Sequence, residues 1–355
     1  MLTWVTSLKL MDIPHMVGHR HSLANGLYDG CKRYPAQIKF NFSTSISNLK
    51  TWSPKPTFTA TPRNGEPYEV EADIVLGADG IKSAVRKAIL KEAGVIAEVL
   101  DTTQAAYRIL LRRDQVLDDP ELLALISSEK VTRWIGERRH LIAYPISNNT
   151  IYNISTTQPD VNFAGAPNST YTTKADKKVM LEVFSDFAPV VQRMLALVPQ
   201  GEVCEWKLRI HEPLPTWTHG CVALVGDACH PTLPHLAQGA AQAIEDAAVL
   251  GVVLGRLPDA KAGTIETCLK AYEGLRKGRA EMLVEWAAAS ARELHLPEGK
   301  ERQERDRVFE EARVKGGKSR VPDKWADSEV QKVVYGVDVW RDAEREFAGL
   351  CESLS

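Results

Sequence analysis

The sequence predicts a mixed α/β fold, in which an α/β layer carries an inserted, mostly antiparallel sheet and a helical C-terminal tail. Three observations support this prediction. Two short apolar runs, Asp73–Leu76 and Cys221–Val225, each lead into a glycine-containing turn and a helix, as buried strands of an α/β layer do. Residues 105–157 are rich in strand-forming segments. From Gly263 onward the pattern is almost wholly helical.

The N-terminal elements are predicted from spacing and from turn residues. Residues 21–34 are expected to form a helix, because Leu23, Leu27 and Cys31 recur every fourth position and line one face. From Ile38 to Val75, short runs alternate between apolar and polar residues, and prolines and an Asn-Gly pair interrupt them. This punctuation indicates strands that are joined by turns.

The inserted sheet and its neighbouring helices are predicted from local periodicity. Four strands are expected in the sheet: Ala106–Leu111, Val131–Ile135, His140–Tyr144 and Ile151–Ser155. Helices are expected before and after it at about Ser83–Ala93, Lys174–Leu197 and Ala240–Leu254. The densely charged residues 298–315 are interpreted as the solvated face of a helix or an exposed connection.

Composition excludes several classes of function. The chain has 355 residues, of which 44% are hydrophobic and 25% charged, and this balance is typical of a globular protein of about two domains. The formal net charge of −2 argues against a nucleic-acid partner, which needs a basic surface. The longest apolar run, Ala247–Gly255, is far shorter than the ~18–20 residues that span a membrane. We therefore expect neither a nucleic-acid partner nor a membrane span.

Cysteine usage and the N-terminal residues predict the compartment. The six cysteines are scattered and form no CxxC pair, which indicates buried or free thiols in a reducing compartment. Lys9 and Asp12 interrupt the apolar residues near the N-terminus, which argues against a secretory signal. The expected location is the cytoplasm.

The first motif runs from Asp73 to Arg86. A buried strand enters a turn with Gly77 and Gly80, and a helix begins near Ser83. Glycines let a backbone approach a ligand closely, and a helix N-terminus favours an anionic group. The glycine spacing does not match the phosphate-binding GxxxxGK[ST] loop. From the pattern alone, an ordinary strand–turn–helix that binds no ligand explains this segment equally well.

The second motif is longer and runs from Gly220 to Ala247. Asp227 follows a buried strand directly, at the edge where α/β folds place ligand groups, and a carboxylate there can accept hydrogen bonds from sugar hydroxyls. Gly239 and Ala240 open a helix whose free N–H groups can face an anion or a polar ring edge.

A metal interpretation of this second motif is weaker. Asp227, Cys229, His230 and His235 lie close together, but they lack a helical HxxxH or a paired CxxC spacing. His230 is better explained as a structural histidine that is hydrogen-bonded within the loop. We therefore expect no metal.

Together, the two motifs resemble the signatures of FAD-dependent aromatic monooxygenases of the para-hydroxybenzoate and salicylate hydroxylase type. The matching segments are GADG within Asp73–Arg86, GDACHP at Gly226–Pro231, QGA at Gln238–Ala240, EDA at Glu245–Ala247 and YExxRxxR at Tyr272–Arg279. Arg20 looks like the arginine of the family's short helix that contacts FAD. Order and spacing agree over residues 19–290, and the fungal salicylate-hydroxylase-like enzymes are the most similar group.

The resemblance implies FAD as cofactor and NAD(P)H as co-substrate. Such enzymes hydroxylate a phenol or another small aromatic molecule with O₂ through a flavin C4a-hydroperoxide. Asp227 would hold the ribityl chain or a nearby phosphate region, and Asp79 would lie near the flavin. Gly239 and Ala240 would offer N–H groups to the isoalloxazine, and Gln238 would sit beside the ring and the substrate.

The same resemblance suggests catalytic residues on the inserted sheet. Some family members bind and ionise the phenol with an arginine and a tyrosine of this sheet, and others use a histidine. Arg108 would stabilise a phenolate by its charge, Tyr144 would hydrogen-bond it, and His140 would act as base. His140 and Tyr144 share one strand face, so both can point into one pocket. The structural alternatives are a surface ion pair for Arg108, a half-buried strand position for Tyr144 and a position at the start of a strand for His140.

One part of the family pattern does not occur in this sequence. The family begins with a strand, a GxGxxG turn and a helix that hold the FAD pyrophosphate, and the chain contains no GxGxxG. An incomplete Rossmann-like FAD-binding domain is therefore expected, with weak FAD binding by the chain as given. A non-catalytic fragment or degenerate paralogue that does not turn over FAD is the alternative function.

The expected domain organisation follows from these assignments. A partial FAD-binding domain covers residues 1–95, the substrate-binding sheet 96–205, the continued FAD-binding domain 206–290, and a helical extension 291–355. The expected partner is a small aromatic substrate. A homodimer is one possible oligomeric state.

Overall fold

The computed structural model describes residues 2–4, 18–163, 170–315 and 321–354. Its strands are β1 (Leu2–Trp4), β2 (Thr44–Thr51), β3 (Thr57–Pro62), β4 (Tyr68–Glu71), β5 (Val75–Gly77), β6 (Leu100–Arg112), β7 (Val131–Gly136), β8 (Arg139–Ile146), β9 (Ile151–Pro159), β10 (Thr172–Lys174), β11 (Cys204–Ile210), β12 (Thr218–His219) and β13 (Val222–Leu224). Its helices are α1 (Arg20–Cys31), α2 (Ala84–Glu92), α3 (Pro120–Ile126), α4 (Lys177–Val183), α5 (Pro189–Ala196), α6 (Gly239–Gly255), α7 (Ala262–Leu294), α8 (Lys300–Val314), α9 (Ser328–Tyr335) and α10 (Val339–Leu354). The mixed α/β class with antiparallel sheets and a helical tail is confirmed.

The chain divides into two compact units. The sheet unit comprises Met1–Ile38, Asp101–Leu208 and Ser290–Gly336, and the α/β unit comprises Lys39–Leu100, Arg209–Ala289 and Val337–Ser355. The tail from residue 291 onward, predicted as one extension, is therefore shared between the two units.

The sheet unit is built on a seven-stranded sheet with the order β1-β7-β8-β9-β6-β11-β10. Alternate residues of its central strands face α3, α4 and α5. Tyr107, Ile109 and Leu111 of β6 are buried there, together with Leu141 of β8 and Ile154 of β9. The opposite side chains of these strands form the open face, defined as Arg108, Leu110, Ile142, Tyr144, Asn153 and Ser155. The period-2 pattern of the sequence thus separates a core face from a partly exposed one.

The α/β unit contains a short parallel pair that supports the strand-end loops. β13 pairs in parallel with β5, and β12 pairs with the other side of β13. Val222, Ala223 and Leu224 are fully buried, as expected of a strand that is covered on both faces. β5 is an edge strand within the part of the chain that the structure describes, and its Leu76 is exposed.

Two local predictions differ from the structure. The helix expected over Lys174–Leu197 is divided into α4 and α5, because Pro189 has no N–H and disfavours helical geometry in the residue before it. The strand expected at Asp73–Leu76 is displaced to Val75–Gly77, since only those residues pair with β13.

The helical tail agrees with its predicted charge pattern. α8 carries exposed ion pairs from Arg307 to Glu304 and from Arg313 to Glu310, as a solvated helix face should. Across the described ranges, none of the helices combines the length and the apolar character needed to cross a membrane.

Candidate functional site

The loop after β13 places Asp227 at the carboxyl end of a buried strand. Gly226 opens the loop with a φ of +62°, and a Cβ there would lie 3.1 Å from Cβ of Ala243, so glycine is required. Asp227 follows in a short 3₁₀ turn and is exposed. Within the described ranges its carboxylate accepts no hydrogen bond and forms no ion pair. It is therefore available to a ligand.

The buried side chain of Asp246, on α6, is hydrogen-bonded to this loop. Its Oδ2 accepts hydrogen bonds from the Gly226 N–H at 2.9 Å and from Nε2 of His230 at 2.6 Å. Its Oδ1 accepts from Nε of Arg276 at 2.8 Å. Burial alone would raise the pKa of Asp246, but His230 and Arg276 outweigh it and hold this pKa below its usual value. His230 is thus the hydrogen-bonded loop histidine that the sequence suggests.

Arg276 extends this buried network to the start of α6. Its Nη1 donates to Oε2 of Glu245 and its Nη2 donates to Oε1 of Gln242, each at 2.7 Å. Nε2 of Gln242 in turn donates to Oε1 of Gln238 at 3.3 Å. One chain of hydrogen bonds therefore fixes both the Asp227 loop and the residue that precedes α6.

The N-terminus of α6 offers unused backbone donors. Gln238 is buried at the N-cap position, and no side chain caps the helix. Among the described residues, no acceptor receives the N–H groups of Gly239 or Ala240. A Cβ on Gly239 would approach Cγ2 of Thr232 to 3.3 Å. Free N–H groups and the positive end of the helix dipole make this a polar, anion-favouring edge.

The glycine turn after β5 is organised by Asp79. Its carboxylate accepts from Oγ of Ser83 at 2.5 Å and from the N–H of Ala84 at 2.6 Å, so it caps α2. Arg86 on this helix donates from Nη1 to the carbonyl oxygen of Ala228 at 3.0 Å. The two motifs of the sequence therefore meet in the α/β unit, and Asp79 has a structural role there.

A cluster beside the Asp227 loop has the composition of a metal site. Ligand atoms of Cys229, His230 and Asp246 lie within 4.8 Å of one another. However, both oxygens of Asp246 already accept hydrogen bonds, one of them from the Arg276 guanidinium. Burial raises the pKa of Cys229, which favours the neutral thiol. Hydrogen bonding accounts for this arrangement.

The open face of the sheet unit brings Arg108 and Tyr144 together. Arg108 lies opposite Ser155, and Tyr144 lies opposite Asn153 two positions along β9. Neither the guanidinium nor the hydroxyl has a hydrogen-bond partner in the described part of the chain. Burial raises the pKa of Tyr144, and the positive charge of Arg108 partly offsets this effect.

Arg20, the first residue of α1, adds a second positive charge near Arg108. Although part of the Arg108 side chain is exposed, desolvation lowers its pKa, and the charge of Arg20 lowers it further. Tyr144 and Cys204 act in the opposite direction. Two guanidinium groups near each other favour an anionic ligand at this end of the open face.

His140 lies on the same side of β8 but is covered. Its side chain is buried, and its Nδ1 is hydrogen-bonded to Nε2 of His295 at 2.7 Å. Tyr144 is four residues farther along β8, a separation of ~13 Å. The structure therefore groups Arg108 with Tyr144 and places His140 in a separate contact.

The buried histidine pair predicts a pH dependence of stability. Burial, reinforced by Arg133 and Arg305, lowers the pKa of His295 from 6.5 to about 4. The unfolded chain binds a proton in this range and the folded chain does not, so this stabilisation is complete above about pH 6.5 and is lost as pH falls toward 4. The full change is on the order of 3 kcal/mol.

Urea denaturation of the full chain at about pH 7.5 and about pH 4.5 measures this change. His295→Gln should lose less stability on acidification than the parent, and His21→Gln, a change at an exposed histidine, should behave like the parent. Equal acid losses in parent and His295→Gln would contradict the assignment.

Sequence reasoning missed the buried network and the groups around His140. The EDA and YExxRxxR segments stand out only through the family resemblance, which by itself gives no role to Asp246, Arg276 or Gln242. The available signal was the ionic character of residues at helical core positions, since buried charges are normally paired.

Comparison with known proteins identifies the class to which this fold and site belong. Residues 15–287 match the family described as "FAD binding domain". The chain belongs to this family.

Its similar proteins include curated monooxygenases and the solved structure of a salicylate hydroxylase. An FAD-dependent monooxygenase, ntnJ, of Nectria sp is 34% identical over 84% of this chain and 66% of the relative. The 6-methylsalicylate 1-monooxygenase of Aspergillus terreus is 32% identical over 60% of this chain and 46% of the relative. A salicylate hydroxylase substrate complex has a TM-score of 0.73 at 25% identity, covering 94% of this chain and 75% of that chain. The chain thus spans about half to two thirds of the length of these curated relatives, and the predicted resemblance is confirmed.

Proposed function

We propose that this chain binds FAD and acts as an FAD-dependent monooxygenase that hydroxylates a phenolic or other anionic aromatic molecule with NAD(P)H and O₂. The observation that carries the proposal is the strand-end loop with its neighbouring helix. An unpaired, exposed Asp227 and the free N–H groups of Gly239 and Ala240 are held by one buried network. They occur within a match to an FAD-binding family.

The chemistry of these groups fits a flavin. Asp227 is suited to accept hydrogen bonds from ribityl hydroxyls, and the N–H groups of Gly239 and Ala240 are suited to donate to carbonyl oxygens at the ring edge. Gln238 would lie beside the ring, Asp79 would preorganise the glycine turn, and Arg20 would contact the cofactor. When bound, the flavin accepts electrons from NAD(P)H and activates O₂ for hydroxylation.

Residues of the open face support an aromatic, anionic substrate. Arg108 would stabilise a phenolate or carboxylate, and the Tyr144 hydroxyl, which is protonated at neutral pH, would donate a hydrogen bond to it. Ile142 and Leu110 offer apolar surface beside these groups. His140 is the candidate base for proton transfer. Its hydrogen bond to His295 supports a positioning role in addition.

Location and assembly belong to the same proposal. Cys31, Cys204, Cys221 and Cys229 form no disulfide within the described ranges, which supports a reducing, cytoplasmic setting. A homodimer stays a prediction, which light scattering of the purified chain would check.

FAD binding is tested directly at Asp227. Asp227→Ala should weaken FAD affinity by about tenfold or more, because a charge-assisted hydrogen bond to the cofactor is lost. Isothermal titration of the full chain with FAD, together with the absorbance of bound flavin near ~450 nm, measures the effect.

The matched control is Asp118→Ala, which removes another exposed carboxylate without a partner in the described ranges. Its affinity should equal that of the parent. An unchanged affinity in Asp227→Ala would exclude Asp227 as a cofactor contact, and a parent chain that does not bind FAD would overturn the proposed function.

A further inference from the structure

Residues beyond the family match fold onto the open side of the sheet unit. The match ends at residue 287, whereas residues 290–315 and 321–336 belong to the sheet unit. We name these two described segments the C-terminal wall. Leu294, Phe309, Ala312 and Val321 of this wall form a small core of their own, against which Ile135 of β7 packs. Thus the wall has an apolar anchor on the sheet.

Two buried polar contacts fix the wall at defined positions. Nη1 of Arg133 donates to Oδ2 of Asp323 at 2.6 Å, and both side chains are 3% exposed. The His140–His295 contact is the second. Trp325 contacts both sides of this arrangement. The Arg133 guanidinium lies 5.5 Å from the centre of the Trp325 ring, and Nε1 of Trp325 donates to the Tyr335 hydroxyl at 3.0 Å. The indole is therefore held on both sides.

The strand register places Arg133 in the same cross-strand row as Arg108. Arg133 of β7 lies opposite Ile142, Ile142 lies opposite Ser155, and Ser155 lies opposite Arg108. Burial falls along the row, from buried Arg133 through partly exposed Ile142 and Ser155 to exposed Arg108. In this row the wall therefore covers β7 and leaves Ile142, Ser155 and Arg108 uncovered, a breadth of ~10 Å at ordinary strand spacing.

We propose that Trp325 is a specificity-determining residue: it forms the side of the aromatic-binding face opposite Arg108 and limits how far a ring system can extend from that arginine. This inference rests on the proposed function, since it assumes that an aromatic anion binds to the open face. Across an opening of ~10 Å, we expect one ring next to Arg108 to stop short of the indole, two fused rings to reach its edge, and three to collide with it.

The test compares three hydroxylated aromatic carboxylates of increasing size: salicylate, 3-hydroxy-2-naphthoate and a three-ring hydroxyanthracene carboxylate. Their affinities for the full chain with FAD present are measured by isothermal titration. For Trp325→Ala we expect unchanged salicylate affinity, a two-ring affinity that is lower by up to about tenfold, and a three-ring affinity that is higher by about tenfold. Trp325→Phe should lie between the parent and Trp325→Ala.

Two further variants separate specificity from stability. Trp340→Ala removes an exposed tryptophan of the α/β unit and should leave all three affinities unchanged. Asp323→Asn weakens the anchor, so it should raise hydrogen exchange in residues 321–336 and shift the size preference in the same direction as Trp325→Ala.

The outcomes are distinguishable. A higher ratio of three-ring to one-ring affinity in Trp325→Ala supports the proposal. An unchanged or lower ratio overturns the role of Trp325 while the proposed function stands. A parent chain that binds none of the three overturns both.

Discussion

Arg276→Met should destabilise the α/β unit by about 3–5 kcal/mol, because it removes the guanidinium that pairs with the buried carboxylate of Asp246. Arg276 is 1% exposed and donates to Asp246, Glu245 and Gln242. Methionine keeps most of the side-chain volume, so the loss reports the ionic contacts and not a cavity. Chemical denaturation of the full chain measures the change.

A surface ion pair provides the matched control for this variant. Nη2 of Arg256 lies 3.0 Å from Oε1 of Glu344, and both side chains are exposed. Arg256→Met should therefore cost no more than about 1 kcal/mol. Similar losses in the two variants would mean that the buried network does not stabilise the unit.

Arg108→Ala should lower kcat/KM for hydroxylation of an aromatic anion by about a hundredfold, since it removes the charge that binds and stabilises the ionised substrate. Tyr144→Phe should cost about tenfold, because only one hydrogen bond is lost. In both variants a larger share of the consumed NAD(P)H should appear as hydrogen peroxide, because a misplaced substrate is not hydroxylated. The measurement is parallel assay of NAD(P)H consumption, product and peroxide.

Arg112→Ala is the control on the same strand. Arg112 is exposed at the end of β6 and pairs with Asp114 on the surface. Its rate and coupling should match those of the parent. If Arg108→Ala and Tyr144→Phe also match the parent, the substrate binds elsewhere or other residues activate it.

The fold was predictable where one periodicity dominates a segment. The strand expected at His140–Tyr144 lies within β8, and the helix expected at Ala240–Leu254 corresponds to α6. In both segments the spacing of apolar residues indicates the type of element and the face that is buried. Prediction failed over Lys174–Leu197 because the apolar stripe continues on both sides of Pro189 while the backbone cannot.

The candidate site was predictable only in part, for a related reason. Asp227 and Gly239 are marked by local features, a strand end and a helix start. Asp246 and Arg276 are separated by thirty positions, and nothing in either local segment records that they meet. His140 lies on the strand that the alternation predicts, but the sequence gives no indication that His295 covers it.

The position of Cys204 gives the open face a built-in chemical reporter. This free thiol is partly exposed and close enough to Arg108 to affect its pKa, whereas Cys221, Cys229 and Cys268 are buried. Among the described cysteines, a thiol-reactive dye should therefore label Cys204 and Cys31 first. A bound aromatic anion would shield Cys204 but leave Cys31 as a reference, so the ratio of the two labels reports occupancy without any turnover.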